Sequence, residues 1–396
     1  MNGLDHYGIV IVGASLAGLR TCEALRGHGY RGRITIIGDE PHPPYDRPPL
    51  SKGFLTGSVP RTRLGLSHAG LDADWRLGLR ATGVDLASRQ LHLDDGTRME
   101  FGGLVVATGS SSSPWPGPLP KQGVHVLRTV DDAARLRREL RPGGRLLVVG
   151  GGFIGCETAA TARELGMQVT LVHTGRYPLY RFIGGEAGAF VAALHRQADV
   201  DLRCSTTVEG FTGEAALTAA RLSDGKSVEA DVAILALGAR PNTDWLAGSG
   251  LWIDRGLRCD QHCRALLNDG SPATGVVAAG DVACWPHPWV PRPIRLGHWS
   301  NAVEQAGVAA RSLLRPDEPG HYRPVPSFWS DQYGVKLRSV GFPHLAEQTR
   351  VEANDPAAGR LEISYYRAGR LVGALTAGRA ARIVGYRSRL ADAIRV

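Results

Sequence analysis

A chain of 396 residues exceeds what one hydrophobic core usually fills, so two or three domains are expected and a small structural module is excluded. With 43% hydrophobic residues, 21% charged residues and 51 glycines, it reads as an ordered, turn-rich globular protein, neither disordered nor collagen-like. The net charge of +8 rests almost wholly on arginine, 42 of 46 basic residues, scattered without a basic block interleaved with aromatics; this suits an acidic partner and argues against nucleic acid.

The first predicted strand is the β-branched run over residues 8–12, reached without a basic segment leading into an apolar stretch, so no export signal is expected. The turn Gly13-Ala14-Ser15-Leu16-Ala17-Gly18 follows, then a helix to about Gly27 and a strand from Arg33 to Ile37. Such a strand–turn–helix lets backbone N–H groups at the helix start approach a pyrophosphate, where the helix dipole favours negative charge. Ser15 stands at the middle glycine of the motif, and Asp39, 21 residues after Gly18, is placed to accept a hydrogen bond from an adenosine ribose.

Proline-rich stretches at 41–49, 114–120 and 286–293 read as loops or crossings. The buried run Leu104-Val-Val ends in Ala107-Thr108-Gly109, a crossover from one nucleotide domain to another. A second β-α-β unit then begins 137 residues after the first: the strand Arg145–Val149, a full G-x-G-x-x-G over Gly150, Gly152 and Gly155, a helix to about Gly166, and the strand Gln168 to Val172. Phe153 and Ile154 lie inside that turn. Two such units imply two bound nucleotides, or one nucleotide and a degenerate copy. Where an acid usually selects NAD in the second unit stands His173, 18 residues after Gly155, and with Arg176 and Arg181 nearby this leans toward a 2′-phosphate and NADPH. The second crossover is Ile234 to Gly238, running on to Pro241-Asn242, and a strand ending in Gly280-Asp281 offers a carboxylate to a polyol hydroxyl.

No run approaches the roughly 20 apolar residues of a membrane helix. Six dispersed cysteines fit reduced thiols in a cytoplasm, and Cys259-x3-Cys263 has no second ligand pair, so no metal site is expected.

The Gly13–Gly18 turn, Pro44-Tyr-Asp-Arg-Pro-Pro-Leu-Ser-Lys52, the second glycine motif, Gly280-Asp281, Asn301-Ala-Val-Glu-Gln-Ala306 and Phe328-Trp-Ser-Asp-Gln332 occur in order along the whole chain. Together they resemble the FAD-dependent ferredoxin reductases that serve bacterial cytochrome P450s and aromatic-ring dioxygenases. These are the putidaredoxin reductase type, with the pyridine nucleotide-disulfide oxidoreductase fold but no redox disulfide. The resemblance implies an α/β fold: an FAD domain over 1–113 and 241–318, an NAD(P) domain over 114–240, both Rossmann-like, and a small α/β C-terminal domain over 319–396.

It also implies roles. Gly13, Ser15, Ala17 and Gly18 would line the FAD pyrophosphate, with Asp39 at the ribose, Val84 at the adenine and Arg128 at the phosphates. Arg47 and Lys52 would lie along the flavin, Ala107, Thr108 and Gly109 at the crossover, Asp281 at the ribityl chain, and the Trp299 backbone at the pyrimidine edge. Gly150, Gly152, Phe153, Ile154, Gly155, Glu157, His173, Arg176 and Gly238 would serve NAD(P). Lys52 and Glu157 would pair near flavin N5, and Trp329 would lie against the isoalloxazine; the alternative for the pair is a plain interdomain salt bridge.

Disulfide reductases of this fold carry a C-x4-C pair where this chain has Arg47 to Lys52, so disulfide chemistry is not expected. The expected reaction passes electrons from NADH or NADPH through FAD to an acidic two-iron ferredoxin, with Arg338, Arg379, Arg382, Arg387 and Arg389 a candidate docking face. Alternatives are a flavoprotein oxidase, a rubredoxin or nitrite reductase component, and a flavoprotein that senses NAD(P)H without turnover.

Overall fold

The computed structural model describes residues 6–395. The elements that position the site are, in chain order, β1 (Ile9–Val12), α1 (Leu16–Gly27), β2 (Ile34–Gly38), β3 (Gly103–Val106), β4 (Arg145–Val149), α2 (Phe153–Glu164), β5 (Gln168–His173), α3 (Tyr180–Gln197), β6 (Val232–Leu235), β7 (Pro272–Ala278) and α4 (Trp299–Leu314). They are followed by β8 (Ser327–Gln332), β9 (Val335–Gly341), β10 (Gln348–Asp355), β11 (Arg360–Arg367), β12 (Arg370–Ala377) and α5 (Arg382–Arg395).

The chain forms two compact units. The first holds the described residues up to Asp46, Gly65–Ser111 and Arg240–Pro324. Its six-stranded sheet runs Arg264–Leu266, β7, β3, β1, β2, Asp74–Leu77, with β7, β3, β1 and β2 parallel. All residues of β1, β2 and β3 are buried, as expected for a parallel sheet covered on both faces. Ile9, Ile11, Ile34, Ile36, Leu104 and Val105 form its core, and α1 packs against α4.

The second unit holds Arg47–Leu64, Ser112–Ala239 and the described residues from Val325 onward. Its parallel sheet is ordered Asp201–Cys204, β5, β4, β6, Val124–His125, the same β-α-β logic used again. It also contains an antiparallel sheet ordered β8, β9, β12, β11, β10, on which α5 packs against β9 and β12. The molecule is thus a mixed α/β protein with two Rossmann-like sheets and a small α/β C-terminal region.

One expectation fails. The proline-rich stretch 286–293 is not a loop: Ala283–His287 and Val290–Ile294 form an antiparallel hairpin. Pro291 and Pro293 are tolerated because Val290–Ile294 is the edge strand of its three-stranded sheet, where a missing N–H breaks no ladder.

Candidate functional site

The two glycine turns are built alike. Gly13 has φ +122°, and a Cβ there would stand 2.1 Å from the Ala107 carbonyl oxygen; one on Gly18 would stand 1.9 Å from the Gly13 carbonyl. In the second turn Gly150 has φ +116°, with a Cβ falling 2.3 Å from the Ala236 carbonyl, and one on Gly155 falling 1.9 Å from the Gly150 carbonyl. These glycines let the helix start pass within contact distance of the next strand's end. Gly152 differs, since nothing lies within 4 Å of its would-be Cβ, leaving open space at the N-terminus of α2. Neither α1 nor α2 has a capping side chain or an acid in its first turn, so both helix starts are suited to an anionic pyrophosphate.

Around the first turn, Ala17 is buried and Asp39 is exposed just past the end of β2. Thr108 Oγ1 donates to the Asn242 carbonyl and Asn242 Nδ2 returns a bond to the Thr108 carbonyl, both at 2.8 Å, so Ala107–Gly109 is braced beside the turn. Asp281 Oδ2 accepts from Ser110 Oγ at 2.9 Å. Gly280 has φ +82° and abuts Ala17, whose Cβ would lie 2.8 Å from a Cβ there. Trp299 opens α4 and its indole Nε1 donates to Asp46 Oδ1 at 2.9 Å, while Val84 packs in the core of this unit.

In the second unit Arg47 Nη1 donates to the Arg128 carbonyl at 2.6 Å, bringing those two predicted residues together. Lys52 and Glu157 also meet: Nζ lies 2.5 Å from Oε2, with the Glu157 side chain 5% exposed and that of Lys52 22% exposed. Two residues missed in the sequence complete this centre. Ser51 Oγ donates to Glu157 Oε2 at 2.6 Å, and Ser330 Oγ donates to Oε1 at 2.8 Å. Gln332 Nε2 in turn donates to Ser330 Oγ at 3.0 Å. A carboxylate with these donors is satisfied as a buried anion, which desolvation alone would penalise. Trp329 neighbours Ser330 on β8, but the strand's alternation sends the two side chains to opposite faces.

His173 does not stand free at the end of β5. Its Nδ1 accepts the Gly151 N–H at 3.3 Å, and burial, aided by the Arg181 charge, pushes its imidazole below the ordinary value. It is therefore neutral at neutral pH. Arg176 is exposed and lies over the Tyr177 ring, 5.3 Å from its centroid. Gly238, with φ +92°, accepts from Ser113 N at 2.9 Å. Phe153 contacts the rings of Phe182 and Phe328 at centroid distances of 5.1 and 4.7 Å, and Ile154, Tyr180 and Phe182 are exposed, an apolar rim around the start of α2.

The proposed docking arginines are partly committed: Arg379 and Arg382 reach Glu362, which is 1% exposed, and Arg338 pairs with Asp331. Cys22 and Cys156 are buried, and burial raises both thiols, Cys22 to about 11. Among the described residues no cluster of His, Cys, Asp and Glu could hold a metal, and no helix is long and apolar enough to cross a membrane.

Residues 7–306 match the family described as pyridine nucleotide-disulphide oxidoreductase, and residues 327–396 the one described as reductase C-terminal. The chain is 37% identical over 359 residues, 88% of its length and 85% of the other's, to the anthranilate 1,2-dioxygenase system ferredoxin–NAD(+) reductase component of Burkholderia cepacia. It is 35% identical over 375 residues, 93% of its length and 88% of the other's, to a ferredoxin–NAD(P)(+) reductase of a Sphingomonas species. The reductase in the crystal structure of the covalent putidaredoxin reductase–putidaredoxin complex superposes with a TM-score of 0.90 at 31% identity, covering 97% of this chain and 93% of that one. The chain belongs to the pyridine nucleotide-disulphide oxidoreductase family and is an oxidoreductase that uses FAD and a nicotinamide dinucleotide.

Proposed function

We propose that this protein is a cytoplasmic NAD(P)H:ferredoxin reductase, carrying electrons from the nicotinamide nucleotide through FAD to an acidic two-iron ferredoxin that feeds a cytochrome P450 or a ring dioxygenase. The observation that carries this reading is the pairing of two dinucleotide turns with a Lys52–Glu157 centre in place of a thiol pair. The names of the relatives point the same way.

In this reading residues 1–113 and 241–318 hold FAD, 114–240 the nicotinamide nucleotide, and 319–396 form the third domain. The Gly13–Gly18 turn, Asp39, Val84, Asp281 and the Trp299 backbone bind the flavin nucleotide, with Arg128 at its phosphates and Arg47 along the flavin. Gly150–Gly155 and Gly238 bind the donor. When bound, FAD supplies the conversion between a two-electron hydride donor and one-electron acceptors. The chain's own residues supply placement: α2 and the apolar rim of Phe153 and Ile154 orient the donor, Trp329 shields the flavin, and Lys52 with Glu157 sets the charge at its reacting edge. Lys52 and Glu157 offset one another, because either charge buried alone would be far costlier than the pair.

The test is turnover: purified protein with NADH should reduce a two-iron ferredoxin many times faster than it reduces oxygen. Fast oxygen consumption that a ferredoxin does not divert would replace this reading with the oxidase.

A further inference from the structure

The two oxygens of Glu157 are served by different parts of the chain. Oε2 takes Lys52 Nζ and Ser51 Oγ, both from the segment over 47–64, whose backbone is tied to α2 by the bond from Thr161 Oγ1 to the Ser51 carbonyl at 2.8 Å. Oε1 takes Ser330 Oγ, the one donor it has among the described residues. Ser330 is fully buried and is itself oriented by Gln332, so its hydroxyl proton is directed at the carboxylate. It sits on β8 directly after Trp329, in register with Leu337 of β9.

We propose that Ser330 is a positioning residue for the hydride-transfer centre: its hydroxyl holds the Glu157 carboxylate in place opposite Lys52 and fixes the strand that carries Trp329 against α2. This rests on the reading of Lys52 and Glu157 as the flavin-side pair. Without the Ser330 hydroxyl, Oε1 is a buried anionic oxygen with no donor. The carboxylate is then free to turn away from Lys52, and the charge arrangement of the pair changes with it.

The experiment compares holoenzyme carrying Ser330→Ala, Ser330→Thr or Glu157→Gln with the parent. Three quantities are read: the infrared carboxylate band of Glu157, assigned by its loss in Glu157→Gln, the flavin midpoint potential without nucleotide, and the single-turnover rate of flavin bleaching by NADH. Ser330→Ala should show that carboxylate band shifted by loss of a hydrogen bond, a potential moved from the parent's, and bleaching slowed about tenfold with NADH affinity unchanged. Ser330→Thr, which keeps the hydroxyl, should match the parent in all three. A Ser330→Ala protein with an unmoved carboxylate band and an unmoved potential overturns the positioning role, as does a Ser330→Thr protein as impaired as Ser330→Ala. Should Ser330→Ala not fold, Ser330→Cys, a far weaker donor, is read on the same band and potential, with the same outcomes deciding. A parent protein that NADH does not bleach would overturn the proposed function itself, which separates the two failures.

Discussion

Lys52 and Glu157, 105 residues apart in the chain, meet with Nζ 2.5 Å from Oε2, and the carboxylate is almost wholly buried. An ammonium and a carboxylate so placed offset each other's burial. Replacing Glu157 by Gln or Lys52 by Met should each slow NADH-dependent bleaching of the flavin by roughly tenfold to 100-fold, since misplacing a reacting pair costs that order. The double variant should be little worse than either single one, because the pair acts as a unit. Stopped-flow rates on the three variants check this; additive losses would mean that the residues act separately.

In the proposed reading the Gly13 turn holds FAD and the Gly150 turn the nicotinamide nucleotide, so substitutions at the two glycines should tell the nucleotides apart. At both positions the backbone is left-handed and a Cβ would strike a carbonyl oxygen, that of Ala236 for Gly150 and that of Ala107 for Gly13. Gly150→Ala should leave the protein yellow yet weaken NADH binding by about tenfold or more. Gly13→Ala should lower the flavin content of the purified protein. The ratio of flavin to protein absorbance and an NADH titration read the two effects apart.

In the proposed reading His173 bears on the donor preference through what it fails to offer. A neutral imidazole turned onto the Gly151 N–H neither accepts a ribose hydroxyl as a carboxylate would nor pairs a 2′-phosphate as an arginine would. NADH and NADPH should therefore be used within about tenfold of each other, and His173→Glu should raise the ratio of kcat/KM for NADH over NADPH by about tenfold. An unchanged ratio would place the choice elsewhere.

Both β-α-β units were legible in the sequence, because a fully buried parallel strand, a glycine turn and a helix make a local pattern, and the observed bounds of α1, β2, α2 and β5 lie within a few residues of the expected ones. The hairpin at 283–294 was not, since proline marks a loop unless the strand is known to lie at a sheet edge. Lys52, Glu157 and Trp329 came from resemblance to a family. Ser51 and Ser330 carried no signal of their own: Ser330 bonds a carboxylate 173 residues away, and only tertiary structure makes that hydroxyl different from any other. The nearest clue was its place in the motif beside Trp329. His173 was located correctly at the end of β5, but the room above Gly151 that draws its ring inward is not written locally.

His195 gives the fold a pH limit. It is fully buried on α3 with Nδ1 2.6 Å from the Tyr333 hydroxyl, and burial pushes its imidazole down to about 4 from 6.5. The unfolded chain therefore takes up this proton before the folded one does. Stability is full above about pH 6.5 and is lost as the pH falls toward 4, by about 2 kcal/mol at pH 5 from this group. A His195→Gln variant should show a flatter dependence of Tm on pH across that window; a curve parallel to the parent's would exclude His195 as the cause.

The most direct test of the whole account is an anaerobic titration of the purified yellow protein with NADH, and separately NADPH, followed by addition of oxidised two-iron ferredoxin. Rapid bleaching of the flavin band, with colour returning as the ferredoxin is reduced, is the predicted result. A colourless protein would contradict the FAD assignment itself, and a yellow one that neither nucleotide bleaches at a useful rate would contradict the reductase and bring forward the non-catalytic, nucleotide-sensing alternative.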